Sequence, residues 1–144
     1  GSFISGTSGT SLSYRAYFVN GTAGSLTTVG TISTSGSSTS YNTSSDYRLK
    51  ENVQPMTGAL ATVAQLKPVT YDWIADKSKG QGFIAHELQA VIPDAVIGEK
   101  DAVNEDGTPH YQGIDTSFLV ATLTAAIQEL KAEVDSLKQQ LGTK

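Results

Sequence analysis

Apolar residues follow three different rhythms along this chain. From Leu12 to Val19 they alternate or cluster in short runs, with Leu12, Tyr14 and Ala16 on one parity and then Tyr17, Phe18 and Val19. Asn20-Gly21 follows as a hairpin signal, and Leu26, Val29 and Ile32 come after it, well separated. This pattern predicts short strands joined by turns. In the middle, Pro55 suits a first helical turn, and Leu60, Val63 and Leu66 follow at helical spacing until Lys67-Pro68. Val69 to Trp73 alternates as a half-buried strand, Gly82 to Ala85 reads as a buried strand, and His86 to Ile92 as a short helix ended by Pro93. Asp106-Gly107 marks a turn before a strand over 109–114.

The third rhythm is the most regular. Val120, Leu123, Ile127, Leu130, Val134, Leu137 and Leu141 are spaced alternately three and four apart. That is a heptad seam, with Val120, Ile127, Val134 and Leu141 at a and Leu123, Leu130 and Leu137 at d. A helix that only covers its own domain usually shows a wider stripe, and this is the alternative reading of 116–141. Asp115 or Thr116 can cap the start and Gly142 can end the helix. The seam predicts an oligomer. β-branched residues at a with Leu at d by themselves favour two strands.

Composition divides the chain at one point. Residues 1–45 hold 13 Ser, 9 Thr and 7 Gly, no acidic residue and a single charge, Arg15. All 14 acidic residues and nine of the ten basic ones lie from Asp46 onward. A flexible linker is the plain alternative for 1–45, but the alternating runs favour strands that gain order against other copies of themselves. So few large side chains cannot close a core alone. The expected class is α+β: a small mixed domain, 46–144, with a coiled-coil helix over 116–141, preceded by a β-structured segment, 1–45. An acidic 46–144 argues against a nucleic-acid partner. No apolar run approaches the roughly 20 residues of a membrane helix, and no signal-peptide pattern is visible. The absence of cysteine rules out disulfides and thiolate metal sites.

Motifs for bound groups fail residue by residue. In an EF-hand frame from Ala102 to Gly113, Asn104, Asp106 and Gly107 fall where a calcium loop wants them. Both anchoring places are instead Ala102 and Gly113. His86 and His110 are the only histidines and lack carboxylates at ligand spacing, so no metal and no cofactor is expected. Asn20-Gly21-Thr22 and Asn42-Thr43-Ser44 fit the glycosylation sequon, a frequent chance match in Ser/Thr-rich sequence. Trp73 and the tyrosines read as packing residues.

Ser45 sits on the compositional border, five residues before Lys50. A serine hydroxyl becomes a nucleophile when a base takes its proton, and a lysine is such a base when it can lose its own proton near neutral pH. Arg48 adds like charge beside Lys50, while Asp46 and Glu51 add opposite charge. Five residues along a helix is about 500°, leaving the two side chains about 140° apart. In a strand they lie on opposite faces, roughly 16 Å apart. A Ser45–Lys50 dyad therefore needs a turn within 46–49 or a lysine from another subunit. A linker serine before a solvated charge run is the competing reading.

The strings SSDYRLKENV, YDW, GFIAHELQAVIPDAV and AAIQEL occur in that order between residues 44 and 130. Together they resemble the intramolecular chaperone of endosialidase family, the self-cleaving C-terminal domain of phage tailspikes and tail fibres. The resemblance covers about residues 41–141. It departs at His86, where the family more usually has Gln. It implies a homotrimer assembled through the 116–141 seam, which guides folding of the preceding fibre chain and then releases itself as a single-turnover serine endopeptidase. Carried over, the nucleophile is Ser45, the base Lys50, and the cut bond Ser45–Asp46. Residues 1–45 would end a trimeric fibre shaft. The implied setting is a virion fibre precursor assembled in the host cytoplasm, with the chaperone domain removed on maturation. A permanent structural or receptor-binding trimeric tip is the rival, and a host enzyme with a coiled-coil tail lacks any pocket motif. A serine attacking its own carbonyl would close a four-membered ring, whereas attack on the preceding carbonyl closes a five-membered one. The latter route would cut Ser44–Ser45 unless the attack passes between chains.

Overall fold

The computed structural model describes residues 13–22 and 25–142, so Leu12 lies outside the described residues. Its contacts divide the chain into two compact units, Gly1–Val53 and Gln54–Lys144.

The first unit carries a three-stranded antiparallel meander, β1 (Ser13–Thr22), β2 (Ser25–Ser35) and β3 (Ser38–Thr43), in that spatial order. Ser35 pairs with Ser38 across a two-residue turn, where Gly36 takes φ +55°, a conformation that glycine adopts without a Cβ clash. Asn20-Gly21 does not form the turn expected of it. These residues pair with Thr27 and Leu26 inside the β1–β2 ladder, which runs on to Thr22 and Ser25. The ladder slips between Tyr14 and Ala16 and again between Phe18 and Val19, as bulges do. Phe18 lies over Gly30, but one sheet of small residues closes no interior. Among the described side chains of this unit only Ser33 is buried, while Tyr17, Phe18, Val19, Leu26 and Tyr41 stand exposed.

The second unit is α+β. Helix α1 (Ala59–Val63) leads to the hairpin β4 (Val69–Asp72) and β5 (Lys79–Gly82). Then come α2 (Ala85–Gln89), a 3-10 turn at Pro93–Ala95, the short pair β6 (Val96–Ile97) and β7 (Gly113–Ile114), and the long helix α3 (Ser117–Gly142). The predicted Val69 strand is present. The strand read over Gly82–Ala85 lies earlier, because β5 pairs with β4 and glycine at position 80 leaves room for the Tyr71 ring. Phe83 then turns into the core and Ile84 becomes the N-cap of α2. The strand expected over 109–114 shrinks to Gly113–Ile114, with one isolated bridge between Val103 and Pro109; proline cannot donate to a ladder.

Two small cores hold this unit. Leu88, Ala95, Val96 and Leu119 form the first, with Leu66, Phe83, Ala85 and Ile92 against them. The second joins α1 to α3: Ala59 meets Ala125 and Ala126, flanked by Leu60 and Val63. Alanine on α3 lets the two helices approach closely.

Helix α1 begins at Ala59 rather than Pro55, and the reason lies seventy residues away. Glu129 on α3 accepts hydrogen bonds from the backbone N–H of Ala59 (3.1 Å) and Leu60 (2.7 Å). A carboxylate from one helix thus caps the first turn of another. The N–H groups of Leu60 and then Ala59 hold the Glu129 carboxyl below the usual glutamate range. Stability from this cap is present above the unfolded-state pKa of the group and is lost as pH falls through the depressed folded value. Glu129→Gln is expected to lower the urea midpoint at neutral pH and to lose less on acidification than wild type. Equal midpoints at neutral pH would show that the cap contributes nothing.

Candidate catalytic site

The border between ladder and charged chain is built from the last residue of the sheet. Beyond β3, the Ser44 N–H donates to the Val29 carbonyl (3.0 Å) and its Oγ donates to the Thr28 carbonyl (3.2 Å). Ser45 is thereby the first residue free of the ladder.

Asp46 then caps a 3-10 turn, Tyr47–Leu49. Asp46 Oδ1 accepts from the Arg48 backbone N–H at 2.9 Å, as capping aspartates do. The Arg48 side chain returns to the same carboxylate, Nε to Oδ1 and Nη2 to Oδ2, each at 2.9 Å. This is a fork-to-fork pair. The Leu49 N–H donates to the Asp46 carbonyl and the Lys50 N–H to the Tyr47 carbonyl, both at 3.1 Å. The reversal within 46–49 brings the two candidate side chains together: Lys50 Nζ lies 2.7 Å from Ser45 Oγ, in hydrogen-bond contact.

A charged lysine donates across that distance; a neutral one accepts the serine proton across it. The same heavy-atom separation therefore serves a general base and its nucleophile, within the range proton transfer requires. Arg48, counted in the sequence as a free positive charge beside Lys50, is spent on Asp46. The guanidinium holds the Asp46 carboxyl below the usual aspartate range, and the carboxylate in turn raises Arg48. Sequence reasoning required a turn here without finding its maker. An aspartate two residues before an arginine was the available signal.

All seven seam residues lie on α3 with their side chains open to solvent in the single chain, from Val134 at 39% to Leu141 at 73% exposure. The buried residues Leu119, Ala125 and Ala126 occupy a neighbouring face. The carboxylate of Asp115 accepts from the Ser117 N–H at 2.9 Å and caps the helix start. His86 and His110 line one small pocket with Glu99 and Asp101, but no group of three or more metal-type ligands is assembled among the described residues. Trp73, read as a packing residue, makes an edge-on contact with Tyr71 yet stays 56% exposed. It borders an open apolar groove of about 780 Å³ with Ile74, Phe83, Ile84 and Tyr111. No described helix is long and apolar enough to cross a membrane.

Residues 45–97 match the model of the family described as Chaperone of endosialidase. The matched segment starts at Ser45. The chain is also 39% identical over 107 residues to the long tail fiber protein Gp37 of Enterobacteria phage M1, covering 69% of this chain and 41% of that protein. It is 38% identical over 107 residues to Gp37 of Enterobacteria phage Ox2, with the same coverage. Against Gp37 of Enterobacteria phage K3 it is 32% identical over 103 residues, 67% of this chain and 8% of that protein. The chain thus spans well under half the length of these relatives.

Proposed function

We propose that this chain, whose residues 45–97 match the chaperone of endosialidase family, is the end of a phage tail fibre fused to a chaperone that trimerises, guides folding of the fibre, and then cuts itself free. The observation that carries the cutting step is the 2.7 Å contact between Lys50 Nζ and Ser45 Oγ. It lies at the end of the β-meander and at the first residue of the family match.

In this reading a neutral Lys50 takes the Ser45 Oγ proton as the oxygen bonds to the carbonyl carbon of a Ser45–Asp46 peptide. Attack on its own carbonyl would strain a four-membered ring, so the bond attacked belongs to a neighbouring chain of the trimer. The C–N bond breaks and the proton passes from Lys50 to the Asp46 nitrogen. Water hydrolyses the ester, which restores the hydroxyl and leaves a carboxylate on Ser45 and an amine on Asp46. No cofactor takes part.

Support for the chaperone role comes from surfaces left open in one chain. The meander exposes nearly all its large side chains, so its register and core depend on other copies. The exposed seam of α3 supplies a way to bring copies together, raising their effective concentration and aligning them before the shaft has any core of its own. The relatives' names, long tail fiber proteins, support a setting on a tail fibre.

Ser45→Ala and Lys50→Ala are each expected to leave the chain whole yet folded after refolding, where wild type separates into two pieces on a denaturing gel. Lys50→Arg should also stay whole, because a guanidinium does not give up its proton. A Ser45→Ala chain that still cuts sinks the dyad. Assembly has its own test by native mass: wild type should run as a trimer. Leu130→Asp should shift it toward monomer by placing a charge in the seam. A wild-type monomer contradicts the seam, and a dimer contradicts the trimer.

A further inference from the structure

The proposed dyad depends on a turn, and the turn depends on one carboxylate. The Asp46 carboxylate receives three hydrogen bonds, all from Arg48: one from the backbone N–H and two from the guanidinium fork. Two backbone bonds of the 3-10 turn are the only other hydrogen bonds that the described structure shows between residues 46 and 50. Among the described residues neither Asp46 nor Arg48 hydrogen-bonds Ser45 Oγ or Lys50 Nζ, so their contribution to the reaction is geometric.

We infer that Arg48 is a positioning residue for self-cleavage: its fork on Asp46 locks the 46–49 turn and so holds Lys50 against Ser45. This rests on the Ser45–Lys50 reading. An exposed ion pair adds little to global stability, which separates the two roles. The fork bridges residues only two apart, so it costs little entropy to form. What it restricts is the path of a lysine with four flexible carbons. Misplacing a catalytic group by an ångström costs up to about a hundredfold in rate. Arginine is needed for this, since an ammonium cannot bond both carboxylate oxygens side by side.

The test is the rate of self-cleavage of refolded trimer, with assembly checked by native mass. Arg48→Ala is expected to assemble but cut at least about tenfold more slowly. Arg48→Lys should remain slow. Free guanidinium at tens of millimolar should restore Arg48→Ala toward the wild-type rate and leave Lys50→Ala uncut. Asp46→Asn keeps an acceptor for the cap but gives up the ion pair; it should be slow and not respond to guanidinium, and it carries the test if Arg48→Ala does not assemble. Two results overturn the inference while leaving the dyad standing. One is Arg48→Ala cutting at the wild-type rate while Ser45→Ala stays whole. The other is a slow Arg48→Ala that ignores guanidinium while Arg48→Lys is fully active. A wild type that never cuts overturns both.

Discussion

The meander cannot bury its own side chains, and the rest of the molecule is organised around that deficit. Serine, threonine and glycine make good strands and turns but contribute little apolar area, so a single sheet of them gains almost nothing from the hydrophobic effect. Its larger side chains, Tyr17, Phe18, Leu26 and Tyr41, face solvent. Such a sheet also specifies its register weakly, because no core face penalises a slip. In the proposed reading, copies of this sheet must be aligned by something other than the sheet itself.

The second unit has the complementary property. Its own cores are small and use one face of α3, with Leu119, Ala125 and Ala126 inside and Glu129 gripping the start of α1. The adjoining seam is left open along the whole helix. A helix that gives Leu119 and two alanines to its own domain and keeps seven large apolar residues outside is suited to assembly. The junction carries a similar division. Ser44 belongs to the ladder through Val29 and Thr28, whereas Lys50 belongs to the turn capped by Asp46. Ser45 lies between them, so its contact with Lys50 draws on both the last rung of the sheet and the first turn beyond it.

What could be read from sequence was what depends on spacing. The long helix, the Val69 strand and the α+β class follow from periodicity and from residues that break it, whereas the short helix expected up to Pro93 already ends at Gln89 and Pro93 opens a 3-10 turn instead. What could not be read depends on distant partners. Helix α1 starts at Ala59 because Glu129 reaches it from α3, and nothing near Pro55 announces that. Asn20-Gly21 stays inside a ladder because pairing with β2 continues past it. The spacing of Ser45 and Lys50 dictated that a turn must intervene. That Asp46 and Arg48 build it, instead of merely tuning charge, came only from the three hydrogen bonds between them. Trp73, read as a packing residue, does pack edge-on against Tyr71 but also borders an open groove.

The central claim is that the border serine cuts the chain once the protein has assembled. The most direct measurement is the mass and N-terminal residue of the products from refolded wild-type trimer at neutral pH. The account predicts a fragment of residues 46–144 that begins at Asp46, together with a partner that ends at Ser45. An assembled trimer that stays intact, or a product that begins at Ser45, would contradict it.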